Sequence, residues 1–484
     1  MGWLEAPGYW LGRLVLERGV AVVYLIAFVN AAAQFRPLIG EHGMLPVSGF
    51  LDGRSFRQAP SLFQLRYSDG LFAAAAWSGA ALSAAIAAGV ADLAPLWASM
   101  LMWVTLWALY LSIVNVGQVW YGFGWESLLL ETGFLMIFLG NAQVAPPVLT
   151  LWMARLLLFR VEFGAGLIKM RGDPCWRNLT CLDYHHETQP MPGPLSWFFH
   201  HLPKPLHRIE AAGNHVAQLV VPFGLFAPQP VASVAAAIVV ITQLWLVASG
   251  NFAWLNWLTI LLAFSAIDDA SVRALVPVPP HPLFPAPPPW FTASVIAFTV
   301  AVLILSYWPM RNMASPGQRM NMSFNPFHLV NTYGAFGVVG RVRREVVIEG
   351  TADTRVTAQS VWKEYGFKGK PGDVRRLPRQ WAPYHLRLDW MMWFAAISPG
   401  YAEPWLGPLL ERLLRNDRPT LHLLRHNPFP DSPPAFVRVR LYRYSFTSWR
   451  ELRRDRAWWQ RTLEGSYLPG EIMLAERHAG KDSE

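Results

Sequence analysis

Over its first two thirds the chain repeats one pattern, a long apolar run followed by a short polar break. Crossing a bilayer takes roughly 17–25 apolar residues in a helix. Runs near that length cover residues 14–33, 71–90, 93–116, 127–143, 148–168, 231–249, 254–267 and 291–308. A stub at 216–226 is split from the sixth run by "APQP". The pattern predicts about eight spans. The first run is too long for a cleaved signal and lacks a convincing small-residue cleavage site, so it reads as the first span. "VPVPPHPLFPAPPPW", residues 276–290, predicts an extended connector, because proline lacks the N–H a helix needs.

After Trp308 the period changes and no spanning run remains. "FVRVRLYRYSF", residues 436–446, alternates Val437, Val439 and Leu441 against Arg438, Arg440 and Tyr442, which predicts a half-buried strand. "EVVIEG" and "TRVTAQSVW" read the same way. "PWLGPLLERLLRN" and "RELRRDRAWWQRTL" have helical spacing. The expected fold is therefore a polytopic α-helical membrane domain over 1–309, with a polar loop at 169–213. A soluble mixed α/β domain over 310–484 follows, with an antiparallel sheet and enough length for its own core.

Composition agrees with a membrane protein. Of the 484 residues only 15% are charged and 24 are Trp, against about 25% charged in soluble domains. The net charge of +9 suits loop charge that orients spans or meets anionic membrane lipid. No zinc-finger spacing, phosphate loop or helix-turn-helix pattern accompanies it, so no nucleic-acid partner is expected.

Charges at membrane depth are costly and usually face protein or water. Arg155, Glu162 and Lys169 are spaced by sevens, which places them on one helix face. Gly164 and Gly166 leave room beside them for a neighbour, and the preceding run supplies Glu126 and Glu131. Two readings stand open: an interhelical ion network, or a polar cavity with all five as candidate catalytic or ligand-binding groups. A lysine in a dry pocket can act as a base.

Beyond this face lies a polar stretch with both cysteines, Cys175 and Cys181, and six of the 13 histidines within 185–215. The spacing is not C-x-x-C. A local disulfide, buried free thiols and a redox pair all remain open. No histidine pair has the spacing of a helical zinc site, so no metal and no cofactor is expected. Trp176, His185, His186, Trp362, Trp381 and Trp390 are candidate partner contacts.

"GFGWESLLLETGFL" (122–135), the stretch 159–203, "NTYGAFG" (331–337), "WKEYGFKGKPGD" (362–373), "WAPYHLRLDWMMWFAA" (381–396), "NPFPDSPPAFVRVRLYRYSFT" (427–447) and "YLPG" (467–470) resemble the lipase maturation factor family, in order along nearly the whole chain. The resemblance implies a membrane-embedded, chaperone-like maturation factor whose clients are exported proteins, secreted lipases among them. It places the polar loop and the C-terminal region on the lumenal side, an oxidising setting for Cys175 and Cys181. It implies the endoplasmic reticulum membrane in a eukaryote. The Ala, Arg and Pro richness points instead to a GC-rich bacterial genome, and so to the plasma membrane. "AGLIKMRGDPCW" (165–176) is also similar to the lysine-containing stretch of vitamin K-dependent γ-glutamyl carboxylases, with Lys169 at the place of their catalytic lysine. No matching propeptide or glutamate-recognition motif accompanies it. Carboxylase activity is not implied, and a membrane enzyme around Lys169 stays the alternative.

Overall fold

The computed structural model describes residues 4–474; the expectation for 310–484 therefore extends past them by 475–484. The helices are α1 (Trp10–Ile39), α2 (Asp69–Ala88), α3 (Leu96–Val116), α4 (Gly124–Met136), α5 (Val148–Arg171), α6 (Leu182–Thr188), α7 (Lys204–Leu219), α8 (Val231–Ser249), α9 (Leu255–Ala263), α10 (Pro289–Leu305), α11 (Arg387–Ile397) and α12 (Leu406–Leu414), with shorter turns between. Residues 277–288 of the proline-dense connector have no regular structure, and Pro289 opens α10.

Among the described residues five helices are long and apolar enough to span: α1, α2, α3, α8 and α10, two of them with flanking turns. The expectation of about eight is not met. The apolar run at 127–143 becomes the 13-residue α4 and ends early. At 1.5 Å per residue α4 is about 20 Å long, short of a hydrocarbon core of about 30 Å. The run at 254–267 yields only the nine residues of α9. Helix α5 has the length, at 24 residues, but too many charges. An apolar run fixes burial; it does not fix whether lipid or protein does the burying.

Strands β1 (Arg343–Thr351), β2 (Lys363–Glu364), β3 (Phe436–Phe446) and β4 (Trp459–Ser466) form one antiparallel sheet in the order β2-β1-β3-β4. The register sets Glu349 opposite Arg438 and Val347 opposite Arg440. Two sequence expectations fail here. Residues 354–362 are not a strand, because Thr357 and Ser360 satisfy each other's backbone in a turn (Ser360 N–H donates to Thr357 O, 3.1 Å). "RELRRDRAWWQRTL" is helical only over Trp449–Asp455; Arg456 then takes φ 51°, and the rest becomes β4.

β3 also departs from simple alternation. Val437 and Val439 face the main core, while Tyr444 and Phe446 lie buried on the opposite face with Trp197 and Trp459. The register shift between Leu441 and Tyr442 sits between the two halves. The C-terminal region was expected to carry an independent core. Instead, one apolar core joins Leu16, Tyr24 and Leu128 of the helices to Val346, Met392, Trp405 and Val437. At the crossing of α1 and α4, a Cβ at Gly133 would lie 1.9 Å from Tyr24 Oη. Glycine is what permits that approach.

The halves are joined by buried charge. Glu126 on α4 accepts from Arg387 Nη1 at 2.7 Å and from the Tyr110 hydroxyl. Arg387 also donates to Trp120 O at 2.7 Å and covers the Tyr121 ring at 3.5 Å. Glu131, five residues on, pairs with Arg160 and accepts from Asn331 N–H (3.0 Å) and Tyr333 O–H (2.7 Å). Removing one partner of a buried pair leaves an uncompensated charge and costs about 3–5 kcal/mol, whereas removing both is often nearly neutral. Arg387→Met is expected to lower unfolding stability by about that amount. Adding Glu126→Gln should recover at least half, as read from thermal unfolding of the purified full chain in detergent.

Candidate functional site

The structure separates the five charges that the sequence grouped. Glu126 and Glu131 are consumed by Arg387 and Arg160. Arg155 turns to backbone, donating to Ser265 O at 3.0 Å and Leu225 O at 3.4 Å, with its guanidinium over the Tyr9 ring. Glu162 and Lys169 are the two that line a cavity, of about 1070 Å³, between α5, α7 and α8 and the loops beside them. The five do not form one site: Glu126 and Glu131 sit in ion pairs with other arginines, Arg155 turns to backbone, and Glu162 and Lys169 share the cavity. Seven-residue spacing fixes the helix face but not the partner, and α5 is long enough for its two ends to meet different neighbours.

Within the cavity, Lys169 Nζ donates to Asn214 Oδ1 at 2.7 Å and to Gln218 Oε1 at 2.9 Å. Both acceptors are on α7, one turn apart. Trp176 covers the ammonium at 4.7 Å. Glu162 Oε1 accepts from Gln243 Nε2 at 2.6 Å, and Gln243 Oε1 accepts from Asn256 Nδ2 at 2.7 Å. The amides thus form a chain from α8 and α9 into α5. Gly166 gives α7 its approach: a Cβ there would lie 2.8 Å from Leu219 Cδ2. Gly164 serves the loop instead, facing Tyr333 O at 2.5 Å by the same measure. Asn214, Gln218, Gln243 and Asn256 escaped the sequence reading. Their signal was available, since each is a lone amide in an apolar stretch or one turn from another.

The polar loop folds on itself. Cys175 and Cys181 are joined in a disulfide. Asp173 Oδ1 accepts from Cys175 N–H at 3.0 Å and from Arg341 Nη2 at 2.8 Å. The Asp173, Cys175 and Cys181 donor atoms lie within 4.8 Å of one another, but sulfurs bonded to each other offer no thiolate to a metal. Trp176 is buried and donates to Phe336 O at 2.7 Å. His185, His186 and Trp390 are buried as well. These four candidate contacts present no surface to a client in this structure; they build the cavity wall. Trp362 and Trp381 are half-buried, the former under Arg438 at 4.1 Å.

His186 sits among His185, His207 and Phe199, with neither ring nitrogen hydrogen-bonded and Glu210 at 4.0 Å. Burial pushes His186 far below the ordinary value, with His185, His207 and His200 adding repulsion. Burial likewise pushes His185 down to about 3 and His200 down to about 4. Burial raises Glu187 and Glu210, which opposes the histidines in part. The unfolded chain accepts histidine protons below a pH of about 6.5 that the folded chain refuses. Stability is therefore complete above that pH and is lost as pH falls. Unfolding temperature should drop between pH 7 and pH 5. His186→Phe should flatten the slope by about 1.4 kcal/mol per pH unit, one proton's worth.

Two family models match the chain, the lipase maturation factor transmembrane domain over residues 11–274 and the lipase maturation factor C-terminal domain over 329–469. Lipase maturation factor 1 of Bos taurus is 42% identical over 96% of this chain and 90% of that protein. The Homo sapiens protein of the same name is 40% identical over 96% and 88%. Lipase maturation factor 2 of Xenopus laevis is 27% identical over 98% and 85%. No solved structure matches. With both models matched in order and this identity along nearly its full length, the chain belongs to the lipase maturation factor family.

Proposed function

We propose that this protein is a membrane-embedded, non-enzymatic maturation factor that helps exported proteins, lipases first among them, reach an assembled, active state. The observation that carries this is the 40–42% identity to proteins named lipase maturation factor 1 across 96% of the chain. Residues 4–309 form the membrane part, with loop 169–213 at its surface, and residues 310–474 lie outside the bilayer and meet the client. The disulfide and the buried charges favour a rigid platform over a mobile lid. Trp362 and Trp381, half-buried at the edge of this region, are the remaining client contacts of the original six. The membrane is the endoplasmic reticulum in a eukaryotic host and the plasma membrane in a bacterial one. Separation of Glu126, Glu131 and Arg155 from Lys169 removes most of the reactive set that an enzyme reading requires.

Co-expression of the full chain with a secreted homodimeric lipase, in cells lacking their own maturation factor, tests the reading. Secreted lipase should gain at least fivefold in activity per unit mass, with a matching rise in its dimer fraction on a sedimentation gradient. Unchanged specific activity and dimer fraction would reject it.

A further inference from the structure

One cavity is lined mostly by apolar side chains and is polar where Lys169, Asn214 and Gln218 meet. Its volume of about 1070 Å³ is just above the range of about 300–1,000 Å³ typical of sites for drug-sized molecules. Ile238, Ile241 and Trp245 line it from α8, yet are exposed on the outside of that helix, and α8 is a candidate membrane span. Ile209 and Val216 of α7 flank the same side and are exposed too. The mouth thus faces the hydrocarbon side of a spanning helix, and the bilayer is the phase from which an occupant enters.

The polar end specifies the head of that occupant. Lys169 has three donor hydrogens; Asn214 and Gln218 take two. The third is left for an acceptor oxygen, beside the Trp176 ring. His186, 1% exposed, and the indole N–H groups of Trp125 and Trp390 also line the cavity with no hydrogen-bond partner. Buried polar groups rarely stay unpaired. Formal charge on the lining is one lysine against Glu162 and Glu210, so an anionic ligand finds no uncompensated cation. Burial keeps His185 and His186 neutral.

We infer that this cavity is a binding site for an uncharged membrane amphiphile, with acyl chains along α7 and α8 and hydroxyl or ester oxygens at Lys169, the indole N–H groups and His186. Diacylglycerol has that chemistry. The site holds its ligand without reacting with it, and it is independent of which client the protein serves.

Native mass spectrometry of the detergent-purified full chain tests this with diacylglycerol and phosphatidylglycerol of equal chain length at equal concentration. A single diacylglycerol adduct should exceed the phosphatidylglycerol adduct about tenfold. Lys169→Gln should weaken the diacylglycerol adduct about tenfold, the loss of one hydrogen bond to a charged donor. Because Lys169 is buried, Ile241→Trp is the parallel variant: it fills the mouth from an exposed position and should weaken the adduct similarly without lowering the unfolding temperature. Equal adducts for the two lipids, a preference for phosphatidylglycerol, or full retention in the Ile241→Trp protein would each overturn the assignment.

Discussion

Two carboxylates on one short helix hold this molecule together. Glu126 and Glu131 are fully removed from water, and each is neutralised by an arginine from elsewhere in the chain, Arg387 and Arg160. A buried charge without a partner is so unfavourable that its partner's position is not negotiable. Helix α4 therefore dictates where residues 385–387 and 331–333 lie. Asn30 and Gln34 of α1 confirm the placement by donating to His385 O at 2.7 and 2.8 Å. The same device recurs at the sheet, where Arg343 donates to Glu187 O and Pro190 O of the polar loop at 3.0 and 3.1 Å while it pairs with Glu345. Membrane helices, loop and sheet are bound by arginines that reach across segment boundaries.

These constraints also create the cavity. Helix α5 is held at its middle by Arg160 and along its face by Arg155, which caps carbonyls at 225 and 265. Its C-terminal half leans on α7 through Gly166 and through the Lys169 amide contacts. Helix α8 reaches it there through the Gln243–Glu162 hydrogen bond, and Asn256 of α9 holds Gln243 in turn. Polar contacts of this kind set spacing without filling volume. Where apolar interdigitation would close the gap, amides and aromatic edges keep it open.

Much of this was legible in the sequence, and the failures have physical causes. The membrane class, strands β1 and β3 and the 406–414 helix follow from hydrophobic period. The span count does not, since α4 and α9 are apolar because protein buries them. Glu126, Glu131, Glu162 and Lys169 were identifiable as costly residues, but only their helix face was readable. Arg387, the partner of Glu126, lies 261 residues away, and no local pattern encodes a contact at that range. The histidines and tryptophans of the loop read as surface chemistry because they are polar-tipped. In the fold they serve as large apolar bodies, with Trp176 and Trp197 each donating to one backbone carbonyl.

The burial of those residues narrows where a client can bind. A loop that turns Trp176, Trp197, His185 and His186 inward cannot grip a partner with them, so it acts as a brace. The Asp173–Arg341 contact and Arg343 fix the sheet against the loop, which the Cys175–Cys181 disulfide closes on itself. What such bracing provides is rigidity, because a preorganised surface loses little conformational entropy when it binds. The outward faces that remain on the C-terminal side are arginine-rich and carry separate exposed apolar groups, Val361, Trp449 and Leu463 among them. Scattered groups of this kind on a rigid frame suit weak, reversible contact with an incompletely assembled protein. A continuous apolar patch would instead hold it permanently.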